Sequence, residues 1–218
     1  MFKNTTPNYL KPPTYETPVE SIKLDMDFYG IPHWGWAIFR TAYGSPEFDS
    51  SWEKLQARIK CQSATEMAEP GVPNEVAAGL NWVFLSDRLT LQGKTRHDAR
   101  LKFLEWVAQQ PRITDPRYGP PSRYLYFVHV DEEVLDSGGT PGEEPHFVKL
   151  VRCEERQDLV YDFVSREELR KYSEEEDGDE GWMRVAVDML GAEFYDSLGD
   201  MPEYFYVYYR GHPNVVEW

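Results

Sequence analysis

The stretch YFVHVDEEVL, residues 126–135, passes from aromatic and β-branched residues straight into three consecutive carboxylates. Its first half reads as a strand, because side chains of this kind pack well on a pleated surface. Asp131, Glu132 and Glu133 read as a helix start, where the positive end of the backbone dipole favours negative charge, and EEVLDS makes one helical turn. A strand that runs directly into a helix start belongs to a chain that alternates the two.

Outward from this segment the alternation continues. WGWAIFRTAY, residues 34–43, is a strand with Trp34, Trp36 and Ile38 on one side and Ala37 and Phe39 on the other, so both faces are covered. Ser45 and Pro46 supply an N-cap and first-turn signal, and Phe48, Trp52, Leu55 and Ile59 form one apolar stripe of a helix over 46–62. LNWVFLSD suits a further strand, with RLTLQG as its continuation or a hairpin return. Thr95 and Asp98 resemble a capping box ahead of a helix whose stripe is Leu101, Leu104, Val107 and Ala108, and Pro111 stops it. FVKLVRCE, after the loop SGGTPGEEP, is another short strand. The expected fold is α+β, an antiparallel or mixed sheet with helices on one face, of the ferredoxin-like kind. Residues 1–22, with four prolines among Asn, Thr and Tyr, read as an extended arm, and residues 23–218 as a single domain. Open edges of such a sheet need covering, and a homodimer is one way to cover them.

The formal charge is −15, of which −12 falls in residues 154–204. That region reads as an acidic C-terminal extension: a charged helix capped by Ser165 and Glu168, then an acidic run, then a stripe of Val187, Leu190, Phe194 and Leu198. EYFYVYYRG closes the chain as an aromatic strand. A chain this acidic is a poor partner for nucleic acid or an anionic membrane, which are held by Lys and Arg. A basic protein partner or a cationic ligand fits instead, with Glu174, Glu175, Glu176, Asp177, Asp179 and Glu180 as the docking residues. Two cysteines, Cys61 and Cys153, without a CxxC pairing give no disulfide framework and fit a reducing, cytoplasmic or nuclear setting. No apolar leader stretch or membrane-length apolar run is present in the sequence.

Taken together and in this order, WGWAIFRTAY, RYLYFVHVDEEVL, FVKLV and GWMRV resemble an uncharacterised group of filamentous-fungal intracellular proteins, over roughly residues 33–200. The resemblance implies an intracellular setting and carries no activity, cofactor or catalytic residue.

Chemistry is concentrated in the opening stretch. Strand alternation puts Leu125, Phe127, His129 and Asp131 on one face, with His129 and Asp131 about 6–7 Å apart. A His-x-Asp pair with a distant second histidine, His146 or His212, is the skeleton of the facial triad that holds non-haem iron. Against that reading, a jelly-roll oxygenase needs about eight strands, and the carboxylates already have a reason to sit at a helix start. The alternative is a hydrogen-bonded structural histidine. Arg40 with Tyr43 forms a second candidate, a clamp for an anionic ligand, against an Arg that stacks on Trp or pairs with a carboxylate. GxSxG, Walker A, GxGxxG and HExxH are all missing, SGGTPG lacks the strand and helix of a phosphate cradle, and SEEEDGDEGW lacks the register of a calcium loop. These observations favour a non-catalytic binding protein without a cofactor; the alternative is an enzyme, metal-dependent or otherwise, using His129, Asp131 and Arg40 in one cleft.

Overall fold

The computed structural model describes residues 17–110, 121–153, 181–200, 205, 208 and 214–217. Its frame is a six-stranded mixed sheet in the order β2-β1-β3-β4-β5-β6, built from β1 (Ala37–Arg40), β2 (Val83–Leu85), β3 (Tyr126–Val130), β4 (Phe147–Arg152), β5 (Trp182–Ala186) and β6 (Val215–Val216). With its helices this is an α+β fold. β1 is parallel to both β2 and β3, while β3, β4 and β5 follow one another antiparallel. The ferredoxin-like order is not found. Long helical crossovers after β1 and β2 return the chain in the same direction, whereas a split βαβ sheet pairs its neighbours antiparallel.

Helices cover both faces, which corrects the one-faced expectation. On the first face α2 (Pro46–Met67) lays Trp52, Leu55 and Ile59 against Trp36, Ile38, Val128, Val148 and Leu150. α1 (Pro18–Tyr29) and α8 (Ala192–Asp200) complete this core through Ile22, Phe194 and Leu198. On the second face α5 (Arg96–Val107) covers Ala37, Phe39, Phe127 and Val151 with Ala99 and Phe103. Short helical pieces fill the connections: α3 (Asn74–Gly79), α4 (Arg88–Leu91), α6 (Ser122–Leu125) and α7 (Glu132–Leu135). Among the described residues no helix is long and apolar enough to cross a membrane.

Several local expectations change. α1 starts at Pro18, inside the stretch 1–22 that reads as extended, because Thr17 and Glu20 form a capping box with proline in the first turn; residues 1–16 lie outside the described residues. RLTLQG is not a strand, since Asp87 caps α4 by accepting from the Leu89 amide. In α5 the capping box of Thr95 and Asp98 forms, but the buried stripe is the other one: Leu101 and Leu104 are 49% and 45% exposed, and Phe103 stacks on Phe127. Of the closing aromatic stretch EYFYVYYRG, Phe205 and Tyr208 are helical, and its other residues lie outside the described residues.

The acidic extension is also revised. β5 and α8 fall within residues 154–204, yet Met183, Val185, Val187, Phe194 and Leu198 are buried in the main core. The Arg152 amide donates to the Gly181 carbonyl, so the chain leaves β4 and re-enters β5 side by side. Residues 154–180, including the whole run Glu174, Glu175, Glu176, Asp177, Asp179 and Glu180, lie outside the described residues.

Candidate functional site

From β1 the chain crosses through α2 to β2 on one side, and β3 arrives through α5 on the other side of β1. In a sheet wound this way the carboxyl ends of the two diverging strands flank the position where ligands settle. Arg40, Thr41, Tyr43, His129 and Asp131 all lie at these strand ends.

They do not form one cleft. Phe39 is in register with His129 and Arg40 with Val130, so alternation sends Arg40 and His129 to opposite faces. Arg40 turns toward α2, where its guanidinium donates to the Ala42 carbonyl at 2.7 Å, pairs with Asp49 and lies 4.4 Å over the Tyr43 ring. Tyr43 donates its hydroxyl to the Arg40 carbonyl, and burial, with carboxylates nearby, pushes its phenol up to about 12. Both side chains are committed to closing the β1 turn, the stacked and paired arrangement that needs no ligand.

His129 is 2% exposed. Its Nε2 meets the Thr41 hydroxyl at 2.9 Å, and its Nδ1 has no hydrogen-bond partner and stands 3.9 Å from Asp131 Oδ2. That oxygen is held instead by Lys149 Nζ at 2.6 Å, from the residue directly opposite His129 on β4. Lys149 also reaches Glu133 at 2.5 Å, and Glu133 pairs with Arg184 of β5. Burial opposes the Asp131 charge, but Lys149, His129 and the Val134 amide together outweigh it and keep the carboxyl below its ordinary range. Burial pushes the His129 imidazole down to about 4, with Lys149 and Arg96 also opposing its proton.

An ammonium therefore sits on the carboxylate oxygen that a metal would use. His146 is exposed and engaged through its backbone with Ser137, and His212 lies outside the described residues. Among the described residues no group of three His, Cys, Asp or Glu side chains is arranged to hold a metal ion. The geometry is that of an ion-paired strand end around a neutral histidine.

This arrangement fixes a pH dependence. The unfolded imidazole titrates near its ordinary value of about 6.5, and the folded one near 4. Above the first value neither state binds the proton and the stability is complete. As pH falls between the two, only the unfolded chain gains a proton, so stability drops, by on the order of 3 kcal/mol over the window. Urea unfolding at stepped pH checks this: His129→Gln is expected to flatten the slope in that window, and an unchanged slope would remove His129 as its source.

A second arrangement was not anticipated. Between the C-terminal half of α2 and the start of α8 lies a cleft of about 380 Å³, lined by Gln62, Glu66, Glu69, Asp188, Glu193 and Phe194 among others. Glu66 Oε1 accepts the Ala192 amide at 2.9 Å and so closes the first turn of α8. Gly191 permits this approach, because a Cβ there would sit 3.1 Å from Glu66 Oε2. Burial raises the Glu66 carboxyl above its ordinary value, and Glu69 and Glu193 add to the rise, against the pull of the Ala192 amide. Asp188 is neutralised by Arg58, whereas no cation among the described residues pairs with Glu66, Glu69 or Glu193. The sequence signal was available: two glutamates and no basic residue at the C-terminal end of a long helix, where the dipole disfavours negative charge. Comparison with known proteins finds no matching family model, no matching curated protein and no matching solved structure.

Proposed function

We propose that the protein works by binding and not by catalysis, and that its acidic surface takes a basic protein segment or a small cationic ligand. The supporting observation is the cleft between α2 and α8, whose three unpaired carboxylates surround a volume within the range of ordinary ligand sites. Burial is the main reason the Glu66 carboxyl is raised, and Glu69 and Glu193 add repulsion; a cation entering the cleft would offset both, and that relief is binding energy. The net charge of −15 adds long-range attraction of the same sign. The run 174–180 belongs to the same reading as an additional docking surface. Both cysteines are unbridged, which accords with an intracellular setting. The enzyme reading has less support, because Arg40 and the His129–Asp131 pair face opposite sides of the sheet.

The test uses spermidine and a lysine-rich peptide as probes, with calorimetry on the full chain at low and physiological salt. The triple variant Glu66→Gln, Glu69→Gln, Glu193→Gln keeps a side-chain oxygen for the Ala192 amide while removing three charges. Binding by the wild type is expected to weaken roughly 3- to 150-fold in the variant, taking about 0.2–1 kcal/mol for each of the three charges, and to weaken with salt. It should also fall as pH is lowered through the raised Glu66 value, since the protonated carboxyl no longer attracts the probe. Equal binding by both proteins would move the site away from the cleft, and no binding by the wild type would end the reading.

A further inference from the structure

His129 is the one buried histidine among the described residues, and the binding reading makes no use of it. Its geometry is specific. Nε2 is within hydrogen-bond distance of the Thr41 hydroxyl, while Nδ1 points at a carboxylate it does not bond. An Nδ1 that carried a proton would close on Asp131 to the about 2.7–2.9 Å of a charge-assisted bond. A separation of 3.9 Å fits a bare lone pair facing an anion, with the ring proton on Nε2 directed to Thr41. Asp131 meanwhile has two other duties: Oδ2 holds Lys149, and Oδ1 accepts the Val134 amide at 3.2 Å as the N-cap of α7.

We infer that His129 and Asp131 form an acid-operated latch on the β3–α7 corner, in which a proton arriving at Nδ1 draws the Asp131 carboxylate from Lys149 and from the α7 cap. The move is about 1 Å, the difference between the present separation and a bonded one. The charges around the imidazole set its threshold. Asp131 at the end of β3 favours the proton; Lys149 of β4 and Arg96 at the start of α5 oppose it. Glu133 of α7, tied to Lys149 and to Arg184 of β5, keeps Lys149 anchored and so gives the ammonium a second carboxylate when Asp131 leaves. The consequence is confined to one place. α7 packs on α2 and β4, and the Ser137 hydroxyl just beyond it accepts the His146 amide, so loosening the cap frees the approach to β4 and leaves the parallel strands intact.

The experiment follows the imidazole ¹⁵N shifts and the amide exchange of the full chain by NMR, between neutral pH and about pH 4. The expected result is an unprotonated Nδ1 at neutral pH that gains its proton on acidification. With it, protection of the Val134 and Leu135 amides should fall roughly tenfold or more after correction for intrinsic exchange, while the amides of β1 stay protected. His129→Gln should abolish this local loss, and Asp131→Asn, which cannot be drawn by a charge, should abolish it too. Should those variants fail to fold, the wild-type shifts and exchange decide the matter alone. Loss of protection at all amides together, a proton already on Nδ1 at neutral pH, or the same local loss in the variants would overturn the latch.

Discussion

Phe194→Ala is expected to destabilise the protein by about 3–5 kcal/mol, the range for emptying a fully buried aromatic site. Phe194 has no exposed surface; its ring meets Trp36 edge-on at 5.9 Å and Tyr208 at 5.3 Å. Trp36 leads into β1 and in turn contacts Tyr195 and Trp82, so the cavity would open at the junction of α8 with the parallel half of the sheet. The effect bears on architecture as well as stability. Were residues 154–204 a solvated extension, the substitution would cost well under 1 kcal/mol, as surface changes do. Denaturant unfolding decides between these outcomes: the midpoint should fall with an unchanged slope, and a midpoint at the wild-type value would detach α8 from the core.

The same region shows why charge misled the sequence reading. An average over residues 154–204 is dominated by carboxylates, and it hides WMRVA, whose Met183 and Val185 face one core while Trp182 faces the other. A period-two pattern of five residues is legible only when the window is as short as the strand. In α5 the difficulty was of another kind. Leu101 and Leu104 fit a helical repeat, and so do Ala99, Phe103 and Trp106. What decided it was the opposing surface, since Phe103 stacks on Phe127 and the small Ala99 lets the helix approach the sheet. Strand direction was out of reach for a related reason. β1 to β4 were recognised from their own residues, but parallel pairing of β1 with β3 depends on the length and path of the crossover between them.

The candidate site divides along similar lines. The shared face of His129 and Asp131 and the helix start at Asp131 followed from strand alternation and from the helix dipole. Lys149 did not, because its position opposite His129 is a matter of register between strands that are separated by a loop. The α2–α8 cleft is less legible still: Glu66 meets the Ala192 amide across 126 positions of sequence.

Arg123→Met is expected to produce a loss comparable to that of Phe194→Ala. Arg123 is 3% exposed, and its Nη1 lies 3.0 Å from the Trp34 carbonyl, 2.7 Å from that of Gly35 and 2.8 Å from that of Asn81. These oxygens belong to the segments entering β1 and β2, and Arg123 itself lies in α6, which enters β3. One guanidinium thus ties together the amino ends of all three parallel strands. Its plane also lies 5.5 Å from the Trp106 ring. Burial pushes its pKa down, yet a guanidinium starts so high that it keeps its charge. Methionine matches the apolar stem but donates nothing, leaving the Gly35 and Asn81 carbonyls short of this partner at about 1–3 kcal/mol for each buried group left unsatisfied. The Trp34 carbonyl keeps the Asn81 amide, so the two remaining groups bring the expected total to about 2–6 kcal/mol. Arg123→Lys should recover part of this, since an ammonium reaches one or two of the oxygens but lacks the planar fork that spans them. Unfolding free energies in the order wild type, lysine, methionine would establish the tie. A methionine variant within about 1 kcal/mol of wild type would mean that the strand entries are held by their own backbone pairing, the Trp34–Leu80 bridge among them, without the arginine.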